Sequence, residues 1–143
     1  MNTAEQLLQV FNDNFVAYFR SHSAHVNIVG RNFQSDHALL GVIYEDLQGQ
    51  IDIIAELLRT LGEFMPRSIA DILDGSHLSD SEVDGDADEL LSLIRDDLDH
   101  LRGCYQELIE IADEEEQEAI GNYAQDRVLA IAKFIWQLDA TLS

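Results

Sequence analysis

The sequence has little that breaks a helix or ties a chain covalently: one proline and one cysteine in 143 residues. A lone cysteine, Cys104, excludes an internal disulfide framework and makes a reducing, cytoplasmic setting the simplest reading. With Pro66 the sole proline and eight glycines thinly spread, long uninterrupted helices are favoured. No apolar run approaches the roughly 18 residues that a membrane span requires. The opening Met1-Asn2-Thr3-Ala4-Glu5 lacks the basic and apolar blocks of a secretory signal. Positive charge is the scarcest commodity: eight Lys and Arg, with Lys133 the only lysine, against 28 acids, for a net charge of −20. Such a surface repels phosphate backbones, which argues against DNA or RNA as a partner.

What is present points to one folded domain over residues 1–143. Hydrophobic residues make up 46%, enough for a real core at this length. The acidity is local: 18 of the 28 acids fall between Asp71 and Glu118, whereas residues 1–30 are nearly neutral. Acidic surfaces of this kind suit solubility in high salt or the attraction of cations.

Apolar spacing predicts four long helices and a short one. The first covers about Thr3–Val29, with Leu7, Phe11, Phe15 and Phe19 in phase and a capping box between Thr3 and Gln6. Gly30-Arg31-Asn32 breaks it. The second covers about Gln34–Leu61 and stops at Gly62. After Pro66 come a short helical piece near Ser68–Leu73 and a polar loop from Asp74 to Asp86. The third long helix covers about Ala87–Glu116 and the fourth about Gln117–Leu142. No strand-like alternation stands out. The pattern is all-α: a four-helix bundle whose second and third helices are joined by a connection long enough to cross it, as ferritin-like topology requires.

Four residues have the chemistry of metal ligands: His25, His37, Asp52 and Glu56. Asp52 and Glu56 are four apart and share one helix face. His25 and His37 flank the Gly30–Phe33 turn and would sit at similar heights on neighbouring antiparallel helices. Imidazole with carboxylate suits iron. His37 and Asp52, however, are 15 residues apart on one straight helix, about 22 Å. They cannot hold the same ion within one chain. If they cooperate, two copies of the second helix must meet across a two-fold axis and form two equivalent sites.

The stretch His22-Ser23-Ala24-His25-Val26-Asn27-Ile28-Val29-Gly30-Arg31-Asn32-Phe33, followed by His37, resembles the signature of the Dps family in the ferritin superfamily. Tyr44-Glu45-Asp46-Leu47, Asp52-Ile53-Ile54-Ala55-Glu56, Arg59, Leu61-Gly62 and the later Lys133-Phe134-Ile135-Trp136 continue the pattern over nearly the whole chain. The resemblance implies His25 and His37 as catalytic iron ligands from one subunit and Asp52 and Glu56 from its two-fold partner. It further implies a hollow homododecamer in which Fe(II) is oxidised at the two-fold interfaces, preferably by hydrogen peroxide, and ferric mineral collects inside. The activity so implied is that of a ferroxidase and iron store that limits oxidative stress.

Three departures from the family pattern bear on that reading. Gly41 stands where an aspartate is usual, four residues after the second histidine, and should weaken one iron position. A Dps-like shell with weak or lost ferroxidase activity is the alternative that Gly41 supports. Val26 replaces the usual tryptophan beside the first histidine. The basic N-terminal extension of DNA-binding members is missing, so DNA binding is not expected. On the fourth long helix, Asn122 and Asp126 match the register of residues lining the family's iron-entry pores, with Glu118 one turn earlier on the same face. Two other patterns are read as surface. Asp80-Ser81-Glu82-Val83-Asp84-Gly85 starts like an EF-hand loop but has Leu91 at its twelfth position. Asp97-Leu98-Asp99-His100 is a single approach to a motif that intrasubunit di-iron bundles carry twice.

Overall fold

The computed structural model describes residues 1–143. Five helices and no strand are present: α1 (Thr3–Asn27), α2 (Phe33–Thr60), α3 (Ile69–Gly75), α4 (Ala87–Glu114) and α5 (Glu118–Leu142). The all-α expectation and the short helix within the crossover are both met. Helix ends fall within two residues of those expected from the sequence, and the local contacts at them explain where the chain turns.

The start of α1 is capped by Asn2, whose side chain accepts from the Glu5 N–H. Thr3 is not the cap. Its hydroxyl and N–H both donate to the Glu115 carboxylate at the end of α4, a contact between helices that helical spacing does not reveal. The side chain of Gln6 likewise points inward and donates to the Cys104 carbonyl. At the other end, Ile28 turns extended, so α1 stops at Asn27. Gly62 stops α2 as expected. Its φ of +84° lets Gly62 and Glu63 return their N–H groups to the Arg59 and Leu58 carbonyls. A capping box that the sequence reading omitted, Asp86 with Glu89, starts α4.

Helices α1 and α2 form one antiparallel hairpin and α4 and α5 the other, with α1 also packed against α4. Ties between α1 and α4 descend one helix as they climb the other: Thr3 to Glu115, Asp13 to His100, Arg20 to Asp97. The two helices are therefore antiparallel. Gly30, at the far end of α1, lies against Ala87, where α4 begins. The segment from Leu61 to Asp86 consequently travels the length of the bundle, a helix of 28 residues being about 42 Å long. On the way, α3 packs on α1.

The core is one continuous cluster of 29 buried residues drawn from all five helices, including Leu7, Phe11, Ile43, Leu47, Leu98 and Ile131. One buried ion pair and one partly buried one interrupt it. Arg20 Nε donates to Asp97 Oδ2 at 2.7 Å, and the Arg127 guanidinium forks onto both Asp46 oxygens. Around the second pair, Tyr123 donates to Gln50 at 2.8 Å and lies beside the fully buried Tyr105.

Candidate metal centre

The Gly30 turn, with φ +141°, brings the end of α1 against the start of α2 and so puts His25 beside His37. The imidazoles stack with centroids 3.8 Å apart and planes 14° apart. Each ring is held by the other's backbone. His25 Nδ1 lies 2.7 Å from the His37 carbonyl oxygen, and His37 Nδ1 lies 2.7 Å from the His25 carbonyl oxygen. A carbonyl only accepts, so both Nδ1 atoms carry the proton. In the neutral rings Nε2 is then the atom with the lone pair, the tautomer of a metal-ligating histidine. Phe33 stacks on His37 at 4.8 Å, and Tyr44 sits 4.9 Å from His25 and 4.0 Å from His22, to which it is parallel. His22 and Tyr44 are the neighbours of this pair that helical spacing alone does not bring out.

Gly41 proves to be a packing partner of this pair. A Cβ placed there would lie 2.9 Å from His25 Cε1 and 3.2 Å from its Nδ1. The His25 ring occupies the space that any side chain at position 41 would need.

Asp52 and Glu56 lie on the same helix as His37, exposed and about 22 and 28 Å further along α2. The chain brings the two histidines together and keeps the two carboxylates apart from them, as the distance argument anticipates. The polar centre around Asp46 and Arg127 offers no substitute for them. Burial works against the Arg127 cation, but hydrogen bonding to Asp46 and the charges of Asp46 and the two tyrosines together outweigh it and raise its pKa further. A permanent guanidinium charge there is the wrong electrostatics for a metal ion. Burial also pushes the neighbouring Tyr123 and Tyr105 phenols up, keeping them protonated.

Glu118, Asn122 and Asp126 fall on the first three turns of α5, all exposed and on one face. The Asp80–Gly85 segment is a surface loop, as expected, and its Ser81 carbonyl accepts from Arg20 at 3.1 Å. Asp97-Leu98-Asp99-His100 departs from the expected surface placement. Asp97 is 7% exposed, and burial pushes its carboxyl above the ordinary range although Arg20 opposes this. Asp99 does face solvent, paired with Arg102 and Arg95. His100 leans across to α1, with Nε2 3.0 Å from Asp13 Oδ2. Cys104 is buried, as a core cysteine should be, but its thiol donates to the same carboxylate at 3.2 Å. With His77 these residues form a second polar group. Sequence spacing could not reveal it, because its members come from α1, α4 and the crossover.

Residues 4–143 match the family model described as a ferritin-like domain. The chain is 30% identical over 139 residues to antigen TpF1 of Treponema pallidum, covering 96% of this chain and 78% of that protein. It is 26% identical over 144 residues to a DNA protection during starvation protein of Helicobacter pylori, covering 100% of each. The crystal structure of a Dps protein from Vibrio cholerae, described as a ferritin-like diiron-carboxylate protein, superposes with a TM-score of 0.93 at 26% identity, covering 99% of this chain and 89% of that one. The chain therefore belongs to the ferritin-like domain family and, within it, to the Dps proteins.

Proposed function

We propose that this chain is the subunit of a homododecameric cage that oxidises Fe(II), with hydrogen peroxide as oxidant, and stores the ferric product. The observation that carries the proposal is the reciprocal bonding of His25 and His37, which ties down Nδ1 of each ring and leaves Nε2 of each neutral ring as the available lone pair. Two neutral imidazoles bind Fe(II) but do not by themselves balance its charge. Asp52 and Glu56 of a two-fold partner would supply that charge. Antiparallel apposition of two α2 helices sets each subunit's histidines opposite the other's carboxylates. Large apolar side chains left exposed on the single chain are consistent with assembly: Phe19, Val42, Ile69 and Trp136 are each more than half exposed. Glu118 and Asp126, with Asn122 between them, would concentrate Fe(II) at the entry pores.

In this reading, His25 and His37 bind and orient the Fe(II) substrate, and Glu56 and Asp52 anchor it and stabilise the more highly charged Fe(III) product. Each Fe(II) gives up one electron, so one peroxide accepting two electrons and two protons becomes two waters while two Fe(II) become two Fe(III). Gly41 gives the second reading its footing: a hairpin that supplies histidines but no carboxylate at this position could belong to a shell with feeble catalysis. Iron retained per particle after Fe(II) and peroxide, for the parent and for a His37→Ala, Glu56→Ala double variant, separates the two. Rapid loading by the parent alone supports the ferroxidase. Equal, slow loading by two intact particles overturns it in favour of the shell.

A further inference from the structure

About 18 Å back along α1 from His25, the second polar group closes around Asp13. Asp13 Oδ2, His100 Nε2 and Cys104 Sγ lie 3.0, 3.2 and 3.5 Å from one another. These are close to the edges of a tetrahedron built on zinc, about 3.3 Å between nitrogen or oxygen ligands and about 3.5 Å to sulfur. The imidazole of His77 brings a ligand atom within 4.8 Å of those of Asp13 and His100. We propose that Asp13, His77, His100 and Cys104 form a binding site for a divalent cation of the zinc class, separate from the iron-oxidising site.

Charge, support and access favour this reading. Asp13 is fully buried, a carboxylate inserted between α1 and α4. A divalent ion held by one carboxylate, one thiolate and two neutral imidazoles makes a complex with no net charge, which is the form a buried site tolerates. Binding forms a metal–sulfur bond as the Cys104 thiol proton leaves to solvent; the Nε2 proton that His100 directs at Asp13 leaves too, and the ring takes up a proton on Nδ1 to stay neutral. The other carboxylate oxygen is already held for the purpose: Asp13 Oδ1 accepts from Ser76 Oγ at 2.8 Å and from the His77 N–H at 2.7 Å. His77 is exposed, so it can swing inward and leaves a path for the ion. The mixed carboxylate, imidazole and thiolate set favours zinc over magnesium or calcium. The ion would clip the crossover, just after α3, to α1 and α4.

The test is a Co(II) titration of the assembled particle carrying His37→Ala and Glu56→Ala, so that cobalt at the proposed iron site does not contribute. One cobalt per chain is expected, with the intense visible bands of tetrahedral Co(II) and a thiolate-to-cobalt charge-transfer band, all displaced by zinc. Adding His77→Ala should weaken binding by at least about tenfold. Since His77 is a surface side chain, that variant keeps its fold. Cys104→Ser should abolish the charge-transfer band. A weak octahedral spectrum, no stoichiometric cobalt, or an affinity that His77→Ala leaves unchanged would overturn the site. Loss of iron loading in the parent would not, because the readout does not involve it.

Discussion

Restoring the missing carboxylate with Gly41→Asp should slow iron oxidation, although the family pattern alone would suggest the reverse. The new Cβ would stand 2.9 Å from His25 Cε1, where ordinary contacts begin at 3.4 Å. Either the ring or the helix must yield by about 0.5 Å. The backbone of α2 is held at this point by the buried Leu40 and Ile43 on either side, so the ring moves. Moving it strains the 2.7 Å bond from His25 Nδ1 to the His37 carbonyl, worth about 1 kcal/mol, and disturbs the stack with His37. Overpacking adds about 1–3 kcal/mol. Relief of the helical glycine returns up to about 1 kcal/mol for alanine and less for aspartate. Gly41→Ala should therefore destabilise by about 1–3 kcal/mol and Gly41→Asp by somewhat more. Gly103→Ala is the control. It is also a mid-helix glycine, but its Cβ meets nothing within 4 Å, so it should be neutral or stabilising. A ligand displaced by this amount should cost about tenfold in rate. The assay pairs thermal unfolding with stopped-flow Fe(II) oxidation on assembled particles. A Gly41→Asp particle that melts with the parent and oxidises iron faster would refute the argument, showing that His25 has room to spare and that the carboxylate was limiting.

Removing Asp97 by Asp97→Ala leaves Arg20 buried without its counter-charge and should cost about 3–5 kcal/mol in thermal unfolding; a loss below about 1 kcal/mol would mean water reaches the guanidinium. Burial holds the folded Asp97 carboxyl above its ordinary 3.8, so the folded state binds this proton more tightly than the unfolded chain does. Its contribution to stability accordingly falls as pH rises from 3.8 through the folded-state value, a slope that should vanish from the pH–stability profile of Asp97→Ala. Glu116 has φ +59° at the end of α4, where the Gln117 N–H reaches the Ala112 carbonyl, so Glu116→Gly should stabilise by about 1 kcal/mol. An unchanged melting temperature would show that the left-handed turn costs nothing there. Finally, Glu118→Gln with Asp126→Asn should slow iron uptake several-fold near 0.01 M salt, where the Debye length is about 30 Å, and much less near 1 M, where it is about 3 Å. A salt-independent difference would remove electrostatic focusing from the account.

What could be read from the chain beforehand follows from the range of the interactions involved. Helix spacing is local, so α1 to α5 are legible in Leu7, Phe11, Ile43, Leu47 and their like, and Gly62 announces its own stop. Thr3 was legible only as a cap, because its actual partner, Glu115, is 112 residues away. Asp97 read as solvent-facing because nothing nearby in sequence identifies Arg20, 77 residues away, as its partner. The histidine hairpin was legible because only twelve residues and one turn separate its members. The reason Gly41 must be small was not, since that depends on which way the His25 ring lies.

The same division by range explains why one chain displays only half of the proposed iron site. A straight helix that holds His37 near one end and Glu56 near the other can never fold them together. What this chain can do alone is set the histidines' tautomer and direction, and it does so through two backbone carbonyls, one near the end of α1 and one near the start of α2. The carboxylates need no such fixing, being exposed and long enough to adapt to whatever faces them. Oxidation would then depend on assembly, so an isolated subunit with folded helices and intact histidines should bind Fe(II) weakly and oxidise it no faster than solution does. Activity that survives in monomers held apart by dilution would place the chemistry within one chain, against the geometry of α2.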